Sequence, residues 1–134
     1  MPGPGQRTFR VPSRLDALGP VRLEIERLAA EQHLRQQAVD DIVLCVHEAV
    51  SNAIVHGHRE NEALQVEVTV ESSDGGLKVT VRDSGPGFDV EETLRRLASE
   101  ADHPRGRGLR IIRSLADEYA WSDDGRELTI IKRR

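Results

Sequence analysis

Glu48, Asn52 and His56 recur at every fourth position of the stretch DDIVLCVHEAVSNAIVHG, residues 40–57. On a helix that spacing lines the three side chains along one strip of surface. A carboxylate and a carboxamide one turn apart can work together, since Asn offers a neutral oxygen to Mg²⁺ and Glu can take a proton from an attacking hydroxyl. The same strip is also what an ordinary solvated helix face presents. A second group follows in Asp83-Ser84-Gly85-Pro86-Gly87. Glycines without Cβ atoms let a flat ring lie against backbone, and an Asp carboxylate accepts a hydrogen bond from an exocyclic amine such as that of adenine. An ordinary turn has the same composition. The third group is Gly106-Arg107-Gly108, just ahead of an apolar periodic run. At a helix N-terminus the backbone N–H groups are free to hold a phosphate, with Arg105, Arg107 or Arg110 adding charge. Its plain counterpart is a loop entering a helix.

The elements that must position these groups are legible from periodicity. Ile42, Val46, Ala49, Val50 and Ala53 fall on one face at helical spacing, so residues 35–56 are expected to form a core-packed helix. His56, beside Gly57 at the end of that run, reads as a cap or packing histidine. Upstream, residues 8–11 read as a short strand, with Pro12 and Ser13 ending it and setting up a helix cap. Leu15, Leu18, Val21, Ile25, Leu28 and Ala29 then keep helical spacing, with a break at Gly19-Pro20 and an exposed side carrying Arg22, Glu24, Glu26 and Arg27. Downstream the period becomes two: Leu64, Val66, Val68 and Val70, then Leu77, Val79 and Val81 across the turn Asp74-Gly75-Gly76, predict an antiparallel hairpin. A short helical stretch at 90–97, a polar loop at 99–107, an amphipathic helix after Gly108 and a second hairpin about Asp123-Asp124-Gly125 complete the chain. This order implies an α+β fold, a two-layer α/β sandwich whose mostly antiparallel sheet carries helices on one face.

Composition narrows the function classes. At 134 residues the chain suits one domain, expected over residues 7–134 behind a disordered Pro/Gly lead at 1–6. A net charge of −4 and only four aromatic residues argue against nucleic acid as a partner. No apolar run approaches a membrane span and no signal peptide is evident, so a soluble, cytoplasmic protein is expected. The single cysteine, Cys45, lies among apolar neighbours and reads as a buried small hydrophobe. His47-Glu48 is not a zinc-protease motif, because Ser51 stands where the second His belongs.

Taken in order, E-x-x-x-N on a helix ending N-A-x-x-H-G, D-x-G-x-G after a strand and G-x-G-L opening a helix resemble the Bergerat-fold (GHKL) ATPases. Within that superfamily VHEAVSNAIVHG, VRDSGPGFD and GRGLRIIRSLADEYAW look most like the anti-sigma-factor serine kinases of bacterial partner-switching systems. The resemblance runs over residues 9–131. It implies ATP and Mg²⁺ as cofactors, Asn52 as Mg²⁺ ligand, Glu48 as general base and Asp83 as adenine contact. It further implies that Gly85, Gly87, Gly106 and Gly108 shape the pocket, with Arg107 and Leu109 in the same motif, residues 99–105 as a lid and Arg105 as a γ-phosphate contact. Arg22 matches the position where these kinases present an arginine to protein partners. The implied partners are a small anti-sigma-factor antagonist that receives phosphate, and a sigma factor or other output protein, with the kinase itself a homodimer. The alternative is an ATP-gated binding regulator with little or no kinase activity. A detached catalytic domain acting on a histidine-bearing partner is a third reading.

Overall fold

The computed structural model describes residues 5–54, 65–73, 75–85, 89, 91–92, 95, 106–122 and 124–134. Strand β1 (Gln6–Pro12) leads to helices α1 (Gly19–Glu31) and α2 (Gln36–Asn52), the hairpin β2 (Gln65–Ser73) and β3 (Gly76–Arg82), helix α3 (Gly106–Leu115), and the hairpin β4 (Glu118–Trp121) and β5 (Glu127–Arg133). Among the described residues the strands form one sheet in the order β1-β2-β3-β5-β4, with every adjacent pair antiparallel. The helices form a second layer, in which α2 touches both α1 and α3. This is the expected α+β sandwich. No helix among the described residues is long and apolar enough to cross a membrane.

Alternation sorts the two sheet faces. Val66, Val68, Val70, Leu77, Val79, Val81, Leu128 and Ile130 point into the core and are buried, and from the helix layer Ile25, Leu28, Ile42, Val50 and Ile112 meet them. Each such side chain contributes about 1.5–3 kcal/mol on burial. The opposite face is polar and ordered in rows. Arg10, Glu67, Arg82 and Glu127 stand across from one another in successive strands, ion-paired at 3.8 Å for Arg10–Glu67 and 2.9 Å for Arg82–Glu127. The neighbouring row is Thr8, Thr69, Thr80 and Thr129, in which the first two hydroxyl oxygens lie 3.0 Å apart.

The chain departs from the sequence expectation where local geometry is unusual. Helix α1 starts at Gly19, after a 3₁₀ turn at Leu15–Ala17, because Pro20 in its first turn has no N–H to leave unpaired. Ser13 is buried just after β1 and does not stand at the start of α1; Leu18 does, without a side-chain cap bond. Helix α1 ends in a Schellman arrangement, with Leu34 N–H donating to Ala29 O and His33 N–H to Ala30 O while His33 takes φ +57°. Glu24 is a correction as well. Expected on the exposed side, it is 4% exposed, because positions 21, 24, 25 and 28 share the face turned to the sheet and Arg7 and Arg27 reach its carboxylate there. Gly75 carries φ +72°, as the turn between β2 and β3 demands. The expected short helix at 90–97 falls mostly outside the described residues, although Asp89 Oδ1 accepts the Glu92 N–H at 3.0 Å, as an N-cap does.

Candidate functional site

Helix α2 presents its apolar face as expected, with Ile42, Val46, Ala49, Val50 and Ala53 all buried. Cys45 joins them: burial, then the Asp41 carboxylate, pushes its thiol up to about 11, so it is an inert core group. Glu48 and Asn52 lie on an adjoining strip. Asn52 is 9% exposed, and its Nδ2 is buried with no hydrogen-bond partner among the described residues. Immediately after Asn52 the helix widens into a π turn at Ala53 and Ile54, a distortion that recurs at functional positions.

The first turn of α3 rests on this strip. A Cβ built on Gly108 would stand 3.1 Å from Glu48 Oε2 and 3.3 Å from Asn52 Nδ2, so any other residue at 108 would press on both side chains. The α3 N-terminus, which leaves the N–H groups of residues 106–108 without helical partners, therefore abuts a carboxylate and an unmatched carboxamide. Leu109 and Ile112 anchor α3 in the core, so Leu109 has only its backbone to offer a ligand. At the far end of α3, Lys132 Nζ donates to Leu115 O at 2.6 Å and pairs with Asp41 on α2 at 3.2 Å, both side chains being 14% exposed. Helices α2 and α3 are thus antiparallel and tied at both ends.

Asp83 follows β3 directly. Its Oδ1 accepts the Gly85 N–H at 2.8 Å, and its N–H donates to Arg126 O at 2.9 Å. Arg126 Nε donates to Gly85 O at 2.8 Å. Lys132, at the Asp41 end of α2, is paired with Leu77 at the start of β3. From there α2 runs roughly 16 Å to Asn52 and β3 about 20 Å to Asp83. Glu48, Asn52 and Gly108 are thus brought together in one cluster, and Asp83 and Gly85 in a second one with Arg126. Gly87, Arg105, the Arg107 side chain, His56 and the segment 99–105 lie outside the described residues. Arg126 escaped the sequence reading, although the register partner of Arg82 is Glu127, its neighbour.

Arg22 lies elsewhere. It is exposed on α1, 3.5 Å from Glu26, at the mouth of a cleft of 230 Å³ between α1 and α2, where Leu18, Val21, Val43 and Val46 form the apolar wall and His47 the opposite rim.

Among the described residues no group of three or more His, Cys, Asp or Glu side chains is placed to hold a metal by itself. The buried Asn52 carboxamide beside the Glu48 carboxylate suits a Mg²⁺ whose other ligands are phosphate oxygens and water.

Comparison with known proteins bears on the same features. The model of the histidine kinase-like ATPase domain matches residues 11–132. A serine-protein kinase RsbW of Staphylococcus epidermidis is 26% identical over 133 residues, covering 92% of this chain and 84% of the relative. That of Listeria innocua is 25% identical over 133 residues, covering 93% and 85%. The crystal structure of the RsbU and RsbW domains of a Mycobacterium tuberculosis protein superposes with a TM-score of 0.64 at 20% identity, a likeness of fold. It covers 99% of this chain, which spans 33% of that longer one.

Proposed function

This chain belongs to the histidine kinase-like ATPase domain family, and from that premise we propose that it is an ATP-dependent serine/threonine protein kinase of the partner-switching type. Its substrate in this reading is a small anti-sigma-factor antagonist, and its unphosphorylated output partner a sigma factor or comparable regulator. The observation that carries the reading is the seat of Gly108 against Glu48 and Asn52. That contact joins the α3 N-terminus, an acceptor for phosphate, to a carboxylate and a carboxamide, the two groups phosphoryl transfer requires beside it.

Each residue then has a physical task. The N–H groups of residues 106–108 hold phosphate oxygens at what we call the phosphate end, and the helix dipole favours their charge. Glu48 accepts the proton of the attacking hydroxyl. Asn52 Oδ1 is the protein's ligand to Mg²⁺, which when bound neutralises charge between the transferring phosphates. Asp83 accepts the exocyclic amine of the base at what we call the base end, where Gly85 keeps the approach open. Arg22, at the mouth of the α1–α2 cleft, is the contact for protein partners. A homodimer in the bacterial cytoplasm completes the proposal.

Transfer of γ-labelled phosphate from Mg-ATP into proteins of a source-cell lysate tests it. Wild type should label a small protein on Ser or Thr. Glu48→Gln should lose that transfer by a factor of about 10²–10⁴ while still binding Mg-ATP. If wild type binds Mg-ATP yet labels nothing, the ATP-gated binding regulator is the better account.

A further inference from the structure

The turn between β4 and β5 is held far more tightly than a hairpin connection requires. Ser122 Oγ donates to Asp124 Oδ1 at 2.7 Å, and the same oxygen accepts the Arg126 N–H at 3.1 Å. Ser122 also receives bonds, its Oγ from the Glu127 N–H at 3.1 Å and its carbonyl from the Gly125 N–H at 3.0 Å. Gly125 takes φ +73°, which admits the tight reversal. The Ser122 hydroxyl and the Arg126 N–H hold the Asp124 carboxyl below its ordinary range.

This rigid turn delivers Arg126 to the loop after β3. Its carbonyl takes the Asp83 N–H at 2.9 Å, and its Nε donates to the Gly85 carbonyl at 2.8 Å. The third bond, from Gly85 N–H to Asp83 Oδ1, closes the loop on itself. One residue on a different hairpin thereby grips the loop at both ends, once with backbone and once with side chain. A carboxylate can accept up to about four hydrogen bonds, and the Gly85 N–H supplies one of them at Oδ1. What the grip fixes is where the carboxylate points.

We infer that Arg126 is a positioning residue that aims the Asp83 carboxylate, and that the loop it holds sets the preference for an amino-purine over an oxo-purine nucleotide. The inference rests on the reading of Asp83 as the base contact. An amine at the purine 6-position meets an acceptor and is held, whereas a 6-oxo group presents acceptor to acceptor and is rejected. That contrast is sharp only while the carboxylate cannot turn aside to meet the ring N–H of an oxo-purine.

Two substitutions separate the hydrogen bond from the charge. Arg126→Met keeps the stem and puts a methyl where Nε stood, while Arg126→Gln puts an N–H donor at the same bond count without the guanidinium. Neither touches the backbone bond to Asp83. Competition of Mg-ATP and of Mg-GTP against a fluorescent ATP analogue, with thermal unfolding alongside, gives the readout. Arg126→Met should weaken ATP by about five- to tenfold, as loss of one part-buried hydrogen bond does, and GTP by little, so that selectivity falls. Arg126→Gln should keep most of both affinity and selectivity. The inference is overturned if Asp83→Ala weakens ATP while Arg126→Met does not, if Met weakens ATP and GTP equally, or if Gln fails as Met does. Should Met unfold the protein, the Gln variant decides: loss of selectivity in a folded Gln protein is against the inference, retention supports it. If Asp83→Ala leaves ATP binding intact, the base contact itself is misassigned and the positioning role falls with it.

Discussion

At the phosphate end the Asn52 Nδ2 is buried without a partner among the described residues and Gly108 leaves room for it, whereas at the base end Asp83, Gly85 and Arg126 complete three hydrogen bonds among themselves. A buried donor left unmatched costs about 1–3 kcal/mol, and a ligand that supplies an acceptor recovers it. Among the described residues the base end carries no such deficit. Its bonds are complete before a ligand arrives, so binding there spends little on ordering. The molecule thus holds its unmet polar demand where charge is to be handled and its finished geometry where shape is to be read.

Substitutions can break that contrast in order of expected size. Gly108→Val drives two methyls into Glu48 and Asn52, and overpacking of about 1–3 kcal/mol should lower ATP affinity by up to a hundredfold in titration calorimetry, equally for ATP and GTP. Asp83→Ala should cost ATP about tenfold or somewhat more, the worth of a hydrogen bond to a charged group, and GTP much less. A Gly108→Val protein that kept its ATP affinity would show that the two ends do not differ as described. Lys132→Met cuts the tie at the far end of α3 and takes the cation from Asp41, which keeps its 2.8 Å bond from Gln37. Urea unfolding should register a loss of about 1–2 kcal/mol, with any change in nucleotide affinity borne by the phosphate end.

The smallest effect lies away from both ends. The Arg27 guanidinium, against some opposition from burial, holds the Glu24 carboxyl below its ordinary 4.5, and Arg7 assists. Because the folded value is the lower one, this contribution is full above pH about 4.5 and fades as pH falls through the folded value. Glu24→Gln should therefore flatten the acid limb of the stability curve in that window, and leave ATP affinity near neutral pH unchanged.

How much of this was legible in the sequence depended on range. The strip of Glu48 and Asn52 and the buried face from Ile42 to Ala53 follow from a single period, and the glycine pair at 106 and 108 marks a close approach without naming what approaches. The close of α1 at His33 was hidden because the left-handed cap is taken by a histidine and not by the glycine that usually marks it. Glu24 looked exposed because an acidic residue on a helix usually is; the two cations that admit it to the seam with β1 come from a different strand and the next turn. Arg126 was out of reach of local reading altogether. Its partners lie some forty positions away, and only the pairing of β3 with β5 brings them together.

That pairing gives the polar rows on the open face of the sheet a role in folding fidelity. The ion pair Arg82–Glu127 is exposed and adds little to stability. A slip of β5 along β3 by two residues would keep every apolar side chain on the core face, so burial alone does not reject it. It would, however, set Arg82 or Glu127 against a threonine and part Asp83 from Arg126 by about 7 Å. The charged row therefore acts as a proofreading mark: it distinguishes the one register in which the base end can assemble from neighbours the hydrophobic core would tolerate.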